Sequence, residues 1–229
     1  MTTLLRLTGV SVRLADVDVL RAVDLALDAR TVAVIGDNGS GKSTLARLIG
    51  GLVRPSTGRV EVLGLDAVTD AAALRRRVAV VFSNPDAQII MPTVAEDVAF
   101  SLRADRLPRA ERDSRVATAL DRFGLTALAD RPAYELSGGQ KQLLALCGAF
   151  VRAPDLVVAD EPTAFLDGRN AHAVAAHLLA DTGHRLLVVT HDLDLAARCD
   201  VAVRVHDGRI ADVGEAEGVV AAHAASWRC

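Results

Sequence analysis

Residues 36–44 read "GDNGSGKST", a G-x-x-x-x-G-K-[ST] spacing. Gly36, Gly39 and Gly41, with Asn38 and Ser40 between them, form a loop whose backbone N–H groups can converge on phosphate oxygens, and a helix starting at its end adds favourable partial charge. Lys42 is suited to bridge terminal phosphates, Ser43 to ligate Mg²⁺ and Thr44 to add a phosphate contact. "LVVADEP" (156–162) is an apolar strand ending in two carboxylates. Asp160 can hold Mg²⁺ through water, and Glu161 can polarise an attacking water. Alone, "ADEP" reads equally as a solvated turn; beside a phosphate loop, the chemical reading prevails. "VVTHD" (188–192) sets His191 at a strand end, where beside a nucleotide site it can meet a γ-phosphate, although a lone His is more often packing or surface.

A second glycine-rich stretch, "LSGGQKQ" (136–142), opens a helix with Ser137 as its N-cap candidate, followed by Gly138, Gly139 and Gln140. By itself this is ordinary capping. In the order phosphate loop, S-G-G-Q, D-E, it reads as a second phosphate cradle, too far along the chain to belong to the first. The lysines point the same way: in an arginine-rich chain they occur only at Lys42 and Lys141, one in each stretch. Arginine's planar fork would replace a compact point charge poorly at Lys42. The other histidines (His172, His177, His184, His206 and His223) have no spacing that suggests metal ligation.

Short apolar runs must position these groups. "LLRLTGVSVRL" (4–14), "TVAVIG" (31–36), "GRVEVLG" (58–64), "RVAVVF" (77–82), "DLVVAD" (155–160), "RLLVVT" (185–190) and "VAVRVHDGRIADVG" (201–214) read as strands. "TLARLIGGL" (44–52) and "RNAHAVAAHLLAD" (169–181) read as helices, and such alternation implies a mainly parallel sheet covered on both faces. From 92 to 153 the pattern is helical throughout, with Val116, Leu120 and Phe123 on one face, which suggests an inserted subdomain. The tail from 215 to 229 reads as a capping helix with a loose end.

Composition sets the outer limits. In 229 residues, 51% hydrophobic and 24% charged, the chain reads as globular. A net charge of −3 gives no electrostatic case for nucleic acid. No run reaches the roughly 18–20 apolar residues of a membrane span. "MTTLLRLTGV" lacks the basic flank of a secretory signal, and Cys147, Cys199 and Cys229 form neither a disulfide framework nor a metal knuckle. The chain is expected to be cytosolic, reaching a membrane through a partner.

Taken together, the phosphate loop, "LSGGQ", "DEPT", "AFLD" (164–167), "THD" and "DGRI" (207–210) resemble the nucleotide-binding domain of ATP-binding cassette (ABC) transporters over nearly the whole chain. The resemblance implies a P-loop α/β fold with a RecA-like core, an antiparallel β subdomain and an inserted helical subdomain. The single domain 1–229 would divide into a catalytic lobe (1–91 and 154–229) and a helical signature subdomain (92–153). It also implies an ATPase using ATP and Mg²⁺, in a head-to-tail homodimer where Ser137, Gly138 and Gly139 of one chain close over ATP held by the other. "VFSNPDAQIIMPTVAEDVAF" (81–100) is similar to the version in energy-coupling factor (ECF) importers of vitamins and transition metals. There the Ser83–Phe100 region would dock a transmembrane coupling protein, itself joined to a membrane substrate-binding protein. Asp86, Glu96 or Asp97 is expected to meet basic residues of that partner, placing the chain at the cytoplasmic face of the membrane.

The short chain resembles the dedicated ECF type. "VVADEPTAFLDGRN" with "VVTHDLDLAARCD" looks most like the biotin importer's ATPase, with cobalt or nickel importers as the alternative. A soluble ABC ATPase acting on ribosomes or DNA is the other reading, and its tandem cassettes and long insertions do not appear. Two positions depart from the family pattern. Ser83 stands where a Gln is usual and reaches less far toward Mg²⁺ and the γ-phosphate. Leu14 stands about where an aromatic usually stacks on adenine.

Overall fold

A computed structural model describes residues 3–180 and 182–227, which leaves Cys229 outside the described residues. The chain forms two compact units, Met1–Ala79 with Asp155–Glu161 and Gly183–Cys229, and Val80–Pro154 with Pro162–Thr182. The first holds two sheets. β1 (Leu5–Leu14), β2 (Val17–Leu27), β3 (Thr31–Ile35), α1 (Lys42–Ile49), β4 (Thr57–Val62), β5 (Leu65–Asp66) and α2 (Ala71–Arg77) lead to β6 (Val78–Val81), which carries the chain into the second unit. There α3 (Val94–Ser101), α4 (Arg109–Arg122) and α5 (Gly138–Phe150) follow. β7 (Leu156–Asp160), α6 (Gly168–Leu179), β8 (Arg185–Val189), α7 (Leu193–Ala197), β9 (Val201–His206), β10 (Arg209–Glu215) and α8 (Ala216–Ser226) complete the chain.

The larger sheet has the order β10-β9-β3-β8-β7-β6, and the smaller β2-β1-β4-β5. β3, "TVAVI", is buried at every position, as a central strand covered on both faces must be. It lies parallel to β8 on one side and β9 on the other, and β8 is parallel to β7. Asp207 and Gly208 make the β9–β10 turn, both at positive φ (46° and 73°), the pairing that suits a tight hairpin. α1 covers this sheet with Leu45, Ala46, Leu48 and Ile49.

The smaller sheet is antiparallel throughout its pairings. β1 buries Leu5 and Leu7 and then Val10 and Val12, a change of phase that strict alternation forbids. The register shift between Leu7 and Val10, at positive-φ Gly9, restores the apolar face. A second irregularity on β2 sits at Ala22 (φ 46°), between buried Leu20 and Val23. That break hides β2 from a period-two reading. α2 was equally hard to read, because it buries only Leu74 and ends in three arginines.

In the helical unit the 92–153 stretch forms α3, α4 and α5 joined by short 3-10 turns, plus one antiparallel bridge between Thr93 and Pro132. α6 belongs to the same unit. Val116 and Leu120 of α4 are buried, and Phe123 just beyond packs 5.7 Å from Phe150 and 4.4 Å from His177, ring to ring. Burial pushes the thiols of Cys147 and Cys199 up to about 12, so both stay protonated and inert. Among the described residues no helix is long and apolar enough to cross a membrane.

Candidate functional site

The buried β3 ends at Ile35, and the chain must turn sharply to start α1. Gly36 makes the turn at φ 141°; a Cβ there would lie 2.1 Å from the Val205 carbonyl oxygen. Gly41 caps α1 at φ 107° and is crowded by Leu20 and the Val19 carbonyl. Both positions therefore require glycine for conformation and for room. Lys42, buried, donates to the carbonyl oxygens of Gly36 (2.8 Å) and Asp37 (2.7 Å). Burial lowers its pKa, while the charges of Glu161, Asp37 and Asp160 act in the opposite direction. Asn38, Gly39, Gly41, Lys42, Ser43, Thr44, Val19 and Glu161 line a 270 Å³ cleft. Gly36 is not among the lining residues. Ser40 turns its Oγ inward to a buried position without a hydrogen-bond partner.

β7 delivers the carboxylates. Its last residue, Asp160, is 5% exposed and accepts a hydrogen bond from the Ser43 hydroxyl at 2.9 Å. Glu161 follows in the left-handed region (φ 51°), its N–H donating to the Val189 carbonyl at 2.8 Å. A non-glycine residue held there costs about 1–3 kcal/mol, the kind of strain that concentrates at functional sites. Its Oε2 is 2.7 Å from His191 Nδ1 and accepts the His191 backbone N–H at 3.3 Å. One unit thus brings together the phosphate loop, Asp160, Glu161 and His191.

Ser137 to Gln140 belong to the other unit. Ser137 is exposed and caps α5 reciprocally: its Oγ accepts the Gln140 N–H at 3.4 Å, and Gln140 Oε1 accepts the Ser137 N–H at 2.9 Å. Gly138 faces open space, whereas a Cβ on Gly139 would sit 2.4 Å from Asn170 Cγ. In the same unit β6 gives way to a bend at Ser83. Asn84 Oδ1 accepts the Asp86 N–H at 3.0 Å and starts a single 3-10 turn, Pro85–Ala87. Gln88 then folds back, accepting the Phe82 N–H at 2.7 Å and donating to the Val80 carbonyl at 3.0 Å.

The ABC transporter family profile matches residues 20–164, which include both glycine-rich stretches and both carboxylates. The chain belongs to the ABC transporter family, as an ATP-binding subunit. This cassette is 44% identical to the biotin transport ATP-binding protein BioM of Rhizobium etli, over 84% of this chain and 85% of that protein. It is 43% identical to the energy-coupling factor ATP-binding protein EcfA1 of Lacticaseibacillus paracasei (80% and 67% covered). The nickel import ATP-binding protein NikO of Rhodobacter capsulatus is 40% identical (96% and 92% covered). Among solved structures, cbiO1 of Clostridium perfringens, part of the transporter complex cbiONQ, superposes with a TM-score of 0.86 at 30% identity, covering 99% of this chain and 94% of that one. A dimeric cassette in a post-hydrolysis state bound to ADP and Pi gives 0.81 at 26% identity (93% and 98% covered).

Within the ABC cassette, the acids expected to meet a partner are engaged internally. Asp97 is 8% exposed and accepts the backbone N–H groups of Ile90 and Met91 at 2.9 and 3.0 Å, so it organises the loop before α3. Glu96 closes the Thr93 capping box. Burial removes Asp97 from any docking face, whereas Glu96 stays exposed and caps through Oε2 alone. Asp86 keeps an exposed side chain while pairing with Lys141 at 2.7 Å. Leu14 lies at the β1–β2 hairpin end, 41% exposed and opposite Val17, 61% exposed. Sequence reasoning missed Val19, Asn170 and Gln142. Only the last left a signal, as a polar residue within the apolar run of α5.

Proposed function

We propose that this cassette is the ATP-hydrolysing subunit of an ECF-type importer that takes up a micronutrient, biotin ahead of nickel or cobalt. The observation that carries the reading is one cleft holding Lys42, Ser43 hydrogen-bonded to Asp160, and Glu161 held by His191. Lys42 and the backbone N–H groups of the loop orient and neutralise the phosphate chain of ATP. Ser43 and Asp160 are paired hard oxygen donors and fit Mg²⁺; they would hold the ion, which would supply charge stabilisation to the transferred phosphoryl group. Glu161 accepts a proton from, and so orients, the attacking water, while His191 fixes the carboxylate and faces the γ-phosphate.

Two copies pair head-to-tail as a homodimer, Ser137, Gly138, Gly139 and Gln140 of each completing the nucleotide site of the other. By function, residues 1–91 and 154–229 serve as the catalytic lobe and 92–153 as the signature subdomain, although 80–91 and 162–182 pack with the helical unit. The Ser83–Phe100 region docks a transmembrane coupling protein, holding the cassette at the cytoplasmic membrane face. The 44%-identical biotin relative supports the substrate reading; the 40%-identical nickel relative keeps metal as the alternative.

Single-turnover hydrolysis with purified protein tests the chemistry. Glu161→Gln should slow the chemical step by about 10²–10⁴-fold while ATP-bound pairs accumulate in size-exclusion chromatography. Normal turnover in that variant would remove Glu161 from the reaction. Uptake of labelled biotin, Ni²⁺ and Co²⁺ by cells with and without the gene assigns the cargo.

A further inference from the structure

Lys141 is the one lysine the phosphate chemistry leaves without a task. The chain uses arginine at 24 positions and lysine at two. Lys141 lies one turn beyond Ser137, its N–H donating to the Ser137 carbonyl at 2.9 Å, so both occupy one face of the start of α5. Its ammonium meets Asp86 Oδ1 at 2.7 Å, with the lysine side chain 19% exposed and the carboxylate side chain 64% exposed. The next residue, Gln142, is 1% exposed and donates to the Phe82 carbonyl at 3.3 Å. Phe82's N–H is already held by Gln88. Both ends of the 82–86 bend are therefore tied to the first two turns of α5, one end by a buried amide and the other by an ion pair.

We propose that Lys141, acting through Asp86, is a positioning residue that makes the 82–88 loop and the Ser137 end of α5 move as one body. A force applied to the loop then reaches Ser137–Gln140 without passing through the phosphate loop. The pair suits this role better than a second buried amide would. An ammonium on a flexible stem keeps its attraction while the loop rotates, whereas a hydrogen bond to Phe82 demands one geometry. Asp86 remains open to solvent, so a partner can reach the loop while its helix anchor stays in place. The inference rests on the docking and pairing roles proposed above, but its test does not require them.

Hydrogen–deuterium exchange on the full-length chain, with neither nucleotide nor partner, reads the linkage. Lys141→Gln should accelerate exchange of the 83–88 amides and of the first-turn amides of α5 together, by about threefold, the effect shrinking at high salt. The charge swap Asp86→Lys with Lys141→Asp should restore both sets. Acceleration confined to one segment, or a swap that restores neither, overturns the proposal. A second measurement separates this from the functional reading. Lys141→Gln should leave ATP binding to the monomer unchanged and lower maximal turnover at unchanged KM, with recovery in the swap. A KM change without a turnover change overturns the positioning role. If the wild-type chain fails to hydrolyse ATP, the proposed function falls while the exchange result still decides the linkage.

Discussion

The two glycine-rich stretches of this cassette look alike in sequence and are built on opposite principles. In the first, Gly36 abuts the Val205 carbonyl, Gly41 is crowded by Leu20 and the Val19 carbonyl, and Gly39, in open space, is there for its positive φ (78°). In the second, Gly138 touches nothing, Ser137 is exposed, and only Gly139 is crowded, by a side chain. A loop locked by its surroundings is preorganised for a ligand it binds alone. An exposed helix start with an open glycine presents its surface outward, as a contact made with a second molecule requires. One stretch is closed by its own chain, and the other is left open.

The largest effect should come from adding the same methyl group to each. Gly36→Ala drives Cβ onto a backbone oxygen at 2.1 Å in a left-handed conformation, with no flexible neighbour to yield. We expect loss of ATP binding, measured by fluorescent-nucleotide titration, together with a lower melting temperature. Gly138→Ala meets open space at the first helical position, so folding and monomer ATP binding should persist while ATP-induced pairing fails. Equal melting losses at both positions would break the contrast.

Gly139→Ala sharpens it further. The new Cβ would sit 2.4 Å from Asn170 Cγ, and overpacking of this kind costs about 1–3 kcal/mol, set against the helix-propensity gain. Asn170→Ala in the same chain should recover most of the loss in a urea melt. Without that recovery, Asn170 is not what requires glycine at 139.

Legibility in the sequence follows the same division. The phosphate loop could be read because glycine, lysine and hydroxyl spacing along a few residues is itself the geometry. The Ser137 cap could be read because capping is local. Asn170 beneath Gly139 could not, since only tertiary packing joins them. β2 was obscured because a bulge at Ala22 breaks its alternation, and Asp97 looked like a surface acid because nothing in "TVAEDVAF" shows that it turns inward.

Acidity should separate the regions next. In the helical unit, burial depresses the pKa of His177, stacked on Phe123, with the Arg122 charge adding to the effect. In the nucleotide-binding unit, burial likewise depresses that of His223, whose Nδ1 has no hydrogen-bond partner. Both favour the neutral form when folded, so the unfolded chain binds more protons as pH falls below the ordinary value of 6.5. Stability is thus fully present above pH 6.5 and declines as pH drops toward the folded values. The loss should diminish in His177→Phe, read from melting temperature against pH; an unchanged slope would leave His177 without a part in it.

The smallest effect concerns how far the first stretch is complete. Leu14 and Val17 face one another at the β1–β2 hairpin end and expose aliphatic surface where the family pattern carries an aromatic. Aliphatic carbons offer a base contact area without an aromatic ring's stacking geometry, a difference of about 0.5–1.5 kcal/mol. Leu14→Tyr should therefore tighten ATP binding by roughly fivefold, with GTP, which offers a similar ring face, gaining comparably. Because position 14 is exposed, the melting temperature without nucleotide should hardly move. Tighter binding at constant stability would mark the hairpin end as the base platform of this cassette. If affinity does not change, the base lies elsewhere, and the Lys42 cleft alone accounts for nucleotide affinity.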